Sequence, residues 1–394
     1  MFVDFIQNGR GHGAVGETFQ GARFDAGLLR PYKDSDGRVY MTVNTGRMKT
    51  VKDDKGKIRT VPEFKKVPIQ ELQRRGIQSP VMNANLFLRK DQWIQMDAVV
   101  SRVQRQRLRA WEDLKSASSV GGFNGMSKMT YEYQAMSDTG EALVDMDGMT
   151  DGRNDAPLFA LRSIPLPITH ADFWFSSRQL AVANNSDTPL DTTMQENCVR
   201  RIAEMIEKTL IGVETGIQYG PTASSDTRYD NTSKIYGYTN FPSRNTKTDL
   251  NTPTGANPEA VMRDVIEMRE QLYSDNFYGP YILYHTPAYD AFFDDDYFRA
   301  GSTAEAKTLR ERIKAIDGIM DVRRLDYWTG STYQMVMVQM TPEVVQAING
   351  MDITTVQWES QGGMRLNFKV MAIQVPLLKS DYTGQCGILH ATTS

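Results

Sequence analysis

The stretch NPEAVMRDVIEMREQLYSDNFYGPYILY, residues 257–284, decides the fold class of this chain. Its first two residues favour a helix start, because an asparagine side chain can cap free amides and proline suits the first helical turn. One face of this helix carries, at helical spacing, the apolar residues Val261, Val265, Met268 and Leu272. Tyr281 to Tyr284 is then a short apolar run, which is typical of a buried strand. A helix that leads directly into a buried strand predicts a mixed α and β lobe.

The segments downstream continue this alternation of helical and extended patterns. The sequence predicts helices at Leu309–Ile316 and Pro342–Ile348, and strands at Met335–Met340, Ile353–Trp358 and Met364–Val375. No fixed-period internal repeat is present, which argues against a solenoid or a propeller. The predicted fold class is therefore α+β.

The residues upstream predict a helix followed by a projecting hairpin. Asp91 to Lys115 has apolar residues at helical spacing, with arginines between them. Lys128 to Ala135 and Leu158 to Ile168 have the patterns of two strands. Pro165 and Pro167 lie two positions apart, so their missing amide hydrogens fall on the same side of the strand, as suits an edge.

A long helix is predicted from Asp187 to Gly212, because Asp-Thr-Pro is a favourable helix start and glycine a favourable helix end. Its apolar stripe comprises Leu190, Met194, Cys198, Ile202, Met205 and Thr209. This stripe predicts that the Cys198 thiol is buried in the core, with a raised pKa. Residues 220–256 are rich in Ser, Thr, Asn, Asp and Gly, and predict an irregular connection.

Residues 1–80 differ from the rest of the chain in charge and in pattern. They hold 15 Lys or Arg residues against 9 Asp or Glu, a net charge of +6, whereas the whole chain carries −3. Apart from a brief strand candidate at Arg38–Val43, they lack sustained periodicity and predict an extended arm. The tip of the hairpin, residues 137–156, carries a net charge of −5. We expect the arm and the hairpin to bury their apolar residues only on other copies of the chain, with an electrostatic clasp between arm and tip.

Composition limits the classes of function. The chain is 40% hydrophobic and 24% charged, and no apolar run approaches the roughly 18 residues that a membrane helix needs. The N-terminus lacks the pattern of a secretory signal, so assembly in the cytoplasm is expected. Cys198 and Cys386 are too few for a disulfide framework and lack the spacing of a zinc site. The net negative charge argues against a general nucleic-acid-binding protein.

Several motifs that could indicate a catalytic or metal site are better explained as loops. Residues 11–16 match GxGxxG and Asp34 follows about 20 residues on, but no strand and helix flank them as a dinucleotide site requires. Residues 294–296 are consecutive aspartates that point in different directions, which predicts a solvated turn. The order of calcium ligands is absent from the tip aspartates Asp145, Asp147, Asp151 and Asp155.

The histidines likewise show no zinc-site spacing. They are scattered singly, at His12, His170, His285 and His390. The sequence therefore predicts no catalytic residue, no cofactor and no metal.

The order of arm, helix, hairpin, long helix and α+β lobe resembles the tailed-phage major capsid fold. Within that fold, the sequence is most similar to encapsulin-like shell proteins. The residues that carry the similarity are Asn257–Ala260, the YGPY of 278–281, Pro287–Tyr289, Leu309–Ile313, Gln357–Val375, Leu161–Ile168 and Arg200–Gly212. The chain adds about 80 residues before the first family-like helix and a polar insertion at 220–256, and both additions favour a phage capsid over a minimal encapsulin.

The resemblance also implies an organisation. It implies an N-terminal arm at 1–80, a peripheral-domain helix at 81–118, an extended hairpin loop at 119–170, a spine helix with a polar insertion at 171–256, an axial domain at 257–350, and returning peripheral-domain strands with the C-terminus at 351–394.

The function that the resemblance implies is that of a major capsid protein and not of an enzyme. Such a subunit assembles with itself into the pentamers and hexamers of an icosahedral virion shell, touches packaged double-stranded DNA without sequence specificity, and contacts no membrane. Scaffold, portal and decoration proteins would be further partners. Two alternatives stay open: an encapsulin-type compartment, which would co-purify with a protein cargo, and a soluble α/β enzyme, which would elute as a small oligomer.

Overall fold

A computed structural model describes residues 32–33, 38–52, 58–68, 90–107, 109–136, 146, 159–185, 192–214, 216–218, 229–230, 235–254, 258–297, 307–328, 332–381 and 383–393. The helices in these ranges are α1 Lys90–Arg107, α2 Arg109–Ala117, α3 Ser177–Asn185, α4 Thr193–Ile211, α5 Pro258–Ser274, α6 Asp290–Asp294 and α7 Leu309–Lys314. The strands are β1 Tyr32–Lys33, β2 Val39–Lys52, β3 Ile58–Pro68, β4 Ser119–Val120, β5 Thr130–Met136, β6 Phe159–Pro165, β7 Thr169–Ser176, β8 Ile217–Gln218, β9 Tyr229–Asp230, β10 Asn245–Lys247, β11 Tyr281–His285, β12 Asp296–Tyr297, β13 Lys307–Thr308, β14 Ile319–Arg324, β15 Gln334–Gln339, β16 Val345–Ser360, β17 Arg365–Leu378 and β18 Ile388–Thr392. The fold class is α+β, as the sequence predicts.

A four-stranded sheet of order β4-β16-β17-β7 forms one lobe. Alternate residues of β17 point to opposite faces of the sheet, and its Phe368 side lies under α1 and α4. There Phe368 stacks on Phe173 of β7, with ring centroids 4.9 Å apart, and meets Trp93 of α1 edge to face. Apolar burial on this face therefore fixes both helices on the sheet.

A five-stranded sheet of order β10-β18-β15-β11-β14 forms the second lobe, with α5 packed against it. Strand β11 is buried along its whole length, which confirms the buried strand predicted at Tyr281 to Tyr284. The C-terminal strand β18 lies inside this sheet, between β10 and β15. The chain thus returns to the second lobe after β17. The resemblance implied peripheral-domain strands and the C-terminus for residues 351–394, without a strand in the second lobe.

The long helix α4 begins later than the sequence predicts. Thr192 is its N-cap residue, whereas the predicted start at Asp187–Pro189 lies outside the described residues. Its end at Gly212 is confirmed, with a left-handed φ of 108° that suits glycine. The predicted apolar stripe is wrong by one position, because Met194 and Met205 are exposed. The buried face comprises Gln195, Val199, Ile202, Ala203, Ile206, Glu207, Leu210 and Ile211.

Two further predictions need correction. The segment 342–348 was expected to be helical, but a short turn there leads into β16 at Val345, because its apolar residues pair with β17 in the sheet. Near the N-terminus, the expected strand at Arg38–Val43 is part of a much longer hairpin in which β2 pairs with β3 from Tyr40↔Pro68 to Lys52↔Ile58. The base of this hairpin is fixed by the buried Val67 and by a lysine, Lys66, whose Nζ lies 3.9 Å from the centre of the Tyr40 ring.

Candidate assembly surfaces

The strands β5 and β6 form a two-stranded antiparallel hairpin, here called the finger, as the sequence predicts. Its strands pair from Thr130↔Pro165 to Met136↔Phe159. On its outer face, Phe159 is 62% exposed and Leu161 is 66% exposed. Large apolar side chains in such an exposed position are typical of a surface that another protein covers.

The inner face of the finger packs on the chain's own body. Ile164 is buried in a cluster with Ile348 and Ile373, residues of the four-stranded sheet. Arg162 donates a hydrogen bond to the Ser380 hydroxyl at 3.1 Å. The expectation that the finger buries its apolar residues only on other copies is therefore wrong for its inner face, because the first lobe supplies that partner itself.

The outer face of the four-stranded sheet carries two tryptophans. Trp174 of β7 and Trp358 of β16 are both in register with Asn367 of β17, so they lie on one face of the sheet, on either side of the middle strand. Their side chains are 45% and 38% exposed, respectively. The guanidinium carbon of Arg365 lies 4.4 Å from the centre of the Trp174 ring, and the Lys369 Nζ lies 5.8 Å from that of Trp358. Tryptophan and arginine are the residues most enriched at the centres of protein interfaces.

The outer side of α4 is a third partly apolar surface. It exposes Met194 and Met205, with Cys198 half-buried between them. The Cys198 thiol lies 3.8 Å from the backbone carbonyl oxygen of Asp172, and burial raises the pKa of this thiol. The prediction of a core thiol is therefore wrong in its degree of burial, whereas Cys386 is fully buried.

A buried polar cluster joins α2, α4 and the second lobe. Glu207 of α4 is 2% exposed, and its two carboxylate oxygens accept hydrogen bonds from the amides of Ala110 at 2.8 Å and Trp111 at 3.2 Å. These amides belong to the first turn of α2, so the carboxylate caps one helix from another and meets the positive end of its dipole. Asp113, about one turn further along α2, accepts a hydrogen bond from the Tyr284 hydroxyl at 3.1 Å.

The charges of this cluster do not balance locally. Arg323 of β14 forms an ion pair with Asp113, but Glu207 is paired only with neutral amides among the described residues. Burial raises the pKa of Glu207 to about 7, against the opposing effect of the two amide hydrogen bonds. Burial also raises the pKa of Asp113, although Arg323 favours its charged form. Sequence reasoning missed Glu207, because nothing in a helical pattern reveals which amides a buried carboxylate will meet.

The motif residues of the sequence analysis are not brought together. The GxGxxG at 11–16, His12, Asp34 and the tip aspartates lie outside the described residues. Asp294 accepts a hydrogen bond from Arg310 at 2.8 Å, and His170 lies on the surface beside Asp172. The two remaining histidines are His285, whose Nδ1 lies 2.9 Å from the Thr286 carbonyl oxygen, and His390, whose Nε2 lies 3.0 Å from the Gln334 side-chain oxygen.

Neither a membrane-spanning helix nor a cluster of metal-ligating side chains is found in the described part of the chain. No helix there is long and apolar enough to cross a membrane. Nor do three or more His, Cys, Asp or Glu side chains come together there in a way that could hold a metal ion.

Solved structures show which class of fold this is. The chain is similar to the virus-like particle from Pyrococcus furiosus, with 14% identity, a TM-score of 0.50, and coverage of 75% of this chain and 98% of the other. It is also similar to the capsid of Myoviridae phage XM1, with 12% identity, a TM-score of 0.52, and coverage of 71% and 92%. The chain therefore has the capsid fold of tailed phages and encapsulins, which confirms the resemblance found in the sequence.

Sequence comparison places the chain in a family. Its residues 83–391 match the model of a family of unknown function, DUF6260, and the chain belongs to that family. A comparison with curated protein sequences finds no match.

Proposed function

We propose that this chain is the major capsid protein of a double-stranded DNA virus, a structural subunit that assembles with itself into an icosahedral shell. The observation that carries the proposal is the finger, whose inner face is fixed on its own body while Phe159 and Leu161 stay exposed on the outer face. In a capsid-type subunit the lobe with α4 would be the peripheral domain, and the lobe with α5 would be the axial domain at the ring centres. Nothing in this role requires a catalytic site.

The partner of the finger would be the outer sheet face of a neighbouring copy. That face supplies Trp174 and Trp358 as apolar contact area, with Arg365 and Lys369 beside them. The tip of the finger has a net charge of −5 in the sequence, so the two surfaces are complementary in charge as well as in apolar character. Many such contacts, repeated with closed symmetry, give a stable shell even when each one is weak.

The choice of a virus capsid over an encapsulin-type compartment is supported by the extra chain. The N-terminal hairpin of β2 and β3 precedes the family match at residue 83, and phage-type arms of this kind lie on neighbouring subunits. Particles purified from the natural source would contain DNA if the chain is a capsid protein, and a protein cargo if it is an encapsulin.

The finger can be tested directly by comparing two double variants. Phe159→Ser with Leu161→Ser removes the apolar outer face, whereas Phe159→Leu with Leu161→Met keeps it. Each apolar side chain that becomes buried contributes about 1.5–3 kcal/mol, so the serine variant loses about 3 kcal/mol or more per contact, which is over 100-fold in the association constant. Sedimentation and negative-stain microscopy should show shells for the wild type and the apolar variant, but free subunits for the serine variant at the same concentration.

Two outcomes would contradict the proposal. A wild-type chain that stays a monomer at high concentration would exclude the shell itself. Shells that form equally well with the serine variant would exclude the finger as a principal contact. Circular dichroism of each variant checks that the subunit is folded, which is expected because both positions are exposed.

A further inference from the structure

The carboxylate of Glu207 is an exception to the rule that buried charges are paired. The side chain is 2% exposed, and its partners among the described residues are the Ala110 and Trp111 amides, which carry no charge. Arg323 reaches into this cluster from β14, and it is paired with Asp113. Glu207 is thus a buried carboxylate that lies close to a second carboxylate and has no ion-pair partner among the described residues, which favours its neutral form.

Several charged or titratable groups surround the Glu207 carboxyl group. They are Arg109 and Asp113 on α2, Tyr238 on the turn after α4, Tyr284 on β11, and, beyond them, Arg323 and Asp321 on β14. Burial raises the pKa values of Tyr238 and Tyr284 well above the ordinary range, so neither hydroxyl ionises near neutral pH. Arg109 is exposed, and its attraction is weaker than the repulsion from Asp113. Glu207, whose pKa is raised to about 7, is therefore a group in this cluster whose charge changes near neutral pH.

The helix that Glu207 caps contacts α4 and both the four-stranded and the five-stranded sheet. The Trp111 side chain of α2 is buried in the same core cluster as α4. Lys115 of α2 forms a salt bridge of 2.9 Å with Asp352 of β16, in the four-stranded sheet. Asp113 of α2 is held by Tyr284 and Arg323 of the five-stranded sheet. A change in how firmly α2 sits on α4 therefore bears on the placement of the two sheets relative to each other.

We propose that Glu207 is a proton-operated joint: its protonated form holds α2 on α4 between the two sheets, and its ionised form loosens that attachment. Proton uptake removes the repulsion from Asp113 and the cost of a buried charge, while the carbonyl oxygen of the acid still accepts one amide hydrogen bond and the hydroxyl oxygen accepts the other more weakly. The sign is fixed by the raised pKa of Glu207, because a folded state that binds a proton more tightly than the unfolded state is most stable at low pH. The joint is therefore tight on the acidic side of neutrality and loosens as the pH rises.

Amide hydrogen exchange of the α2 peptide, residues 109–117, tests the joint in the wild type and in two variants. Glu207→Gln removes the titrating group but keeps its shape, and Glu204→Gln is the matched control on the same helix, at a half-buried residue 3.9 Å from Arg200. After correction for the intrinsic exchange rate, exchange should rise up to about tenfold between pH 6 and pH 8 in the wild type and the control. It should stay flat in Glu207→Gln.

The joint is excluded if the wild type shows no such rise, or if Glu207→Gln shows the same rise as the wild type. Should Glu207→Gln fail to fold, a carbon-13 titration of the glutamate carboxyl groups in the wild type decides the matter. A Glu207 resonance that titrates near pH 7 supports the joint, and a Glu207 resonance that titrates below about pH 5.5 excludes it.

The consequence for a shell rests on the proposed function. If two sheets within each subunit shift with pH, the shell diameter should change between pH 6 and pH 8, as measured by small-angle X-ray scattering, and should not change for Glu207→Gln. Failure to form any shell would contradict the proposed function while leaving the exchange result valid. Shells whose α2 exchange ignores pH would contradict the joint alone.

Discussion

The tight packing of the turn that follows α4 can be tested by the substitution Gly237→Ala, which adds one methyl group. A Cβ atom at Gly237 would lie 2.5 Å from the carbonyl oxygens of Leu210 and Thr209, and closer still to the amide nitrogen of Gly212. All three neighbours are backbone atoms, so no side chain can rotate away and the turn itself must move. The turn's next amide, Tyr238 N, donates to the Leu210 oxygen at 2.9 Å, one of the bonds that satisfy the last carbonyls of the helix.

The expected cost follows from these contacts. Overpacking costs about 1–3 kcal/mol, and weakening the hydrogen bonds from Tyr238 N and Thr239 N to the helix end adds about 0.5–1.5 kcal/mol each. A total of about 2–6 kcal/mol lowers the melting temperature by roughly 2–7 °C, since the entropy of unfolding grows with chain length. Calorimetry of Gly121→Ala is the control, because the nearest atom to a Cβ there is the Asn349 oxygen at 3.7 Å. A Gly237→Ala protein that melts within about 1 °C of the wild type would refute the packing argument.

Two further substitutions and conditions give independent checks. Thr308 caps α7, because its hydroxyl accepts a hydrogen bond from the Glu311 amide at 3.3 Å. Thr308→Ala should therefore lower the free energy of unfolding, measured in urea, by about 1 kcal/mol, whereas Thr308→Ser should leave it unchanged. Equal free energies for the wild type and both variants would contradict the cap. Burial lowers the pKa of His285 to about 4, so below about pH 6.5 the unfolded chain binds a proton that the folded chain excludes. The His285 contribution to the free energy of unfolding should therefore fall by up to about 3 kcal/mol between pH 6.5 and pH 4. Because the raised pKa of Glu207 contributes with the opposite sign in this range, the quantity to measure is the free energy of unfolding of the wild type minus that of His285→Asn, and a flat difference would count against a buried neutral imidazole.

The sequence predicted an element correctly where its apolar pattern is compatible with only one secondary structure and one position in the fold. The run at Tyr281–His285 is buried on both sides, so its apolar residues point to a central strand whatever surrounds it. The finger was predictable from two strand patterns with prolines at one edge. The stripe of α4 was not, because this helix has apolar residues on two sides, and only the position of the four-stranded sheet decides that Val199 is buried and Met194 is not. The N-terminal hairpin was missed beyond Val43, since its threonines, lysines and arginines show no apolar alternation.

The strands of the four-stranded sheet supply side chains both to the core, on one face, and to the candidate contact surface, on the other face. A substitution on one face can therefore affect assembly without affecting the stability of the fold. In β17, Phe368 points towards α1 and is fully buried, whereas the neighbouring Asn367 lies on the opposite face with Trp174 and Trp358 beside it. Because strand side chains alternate between faces, a substitution on the tryptophan face leaves the aromatic stack beneath the helices intact. Substitutions can then change one face of the sheet while the other face continues to stabilise the fold. Under the proposed function, this exposed aromatic face is the surface that a neighbouring copy covers, because it lies on the side of the sheet away from the aromatic core.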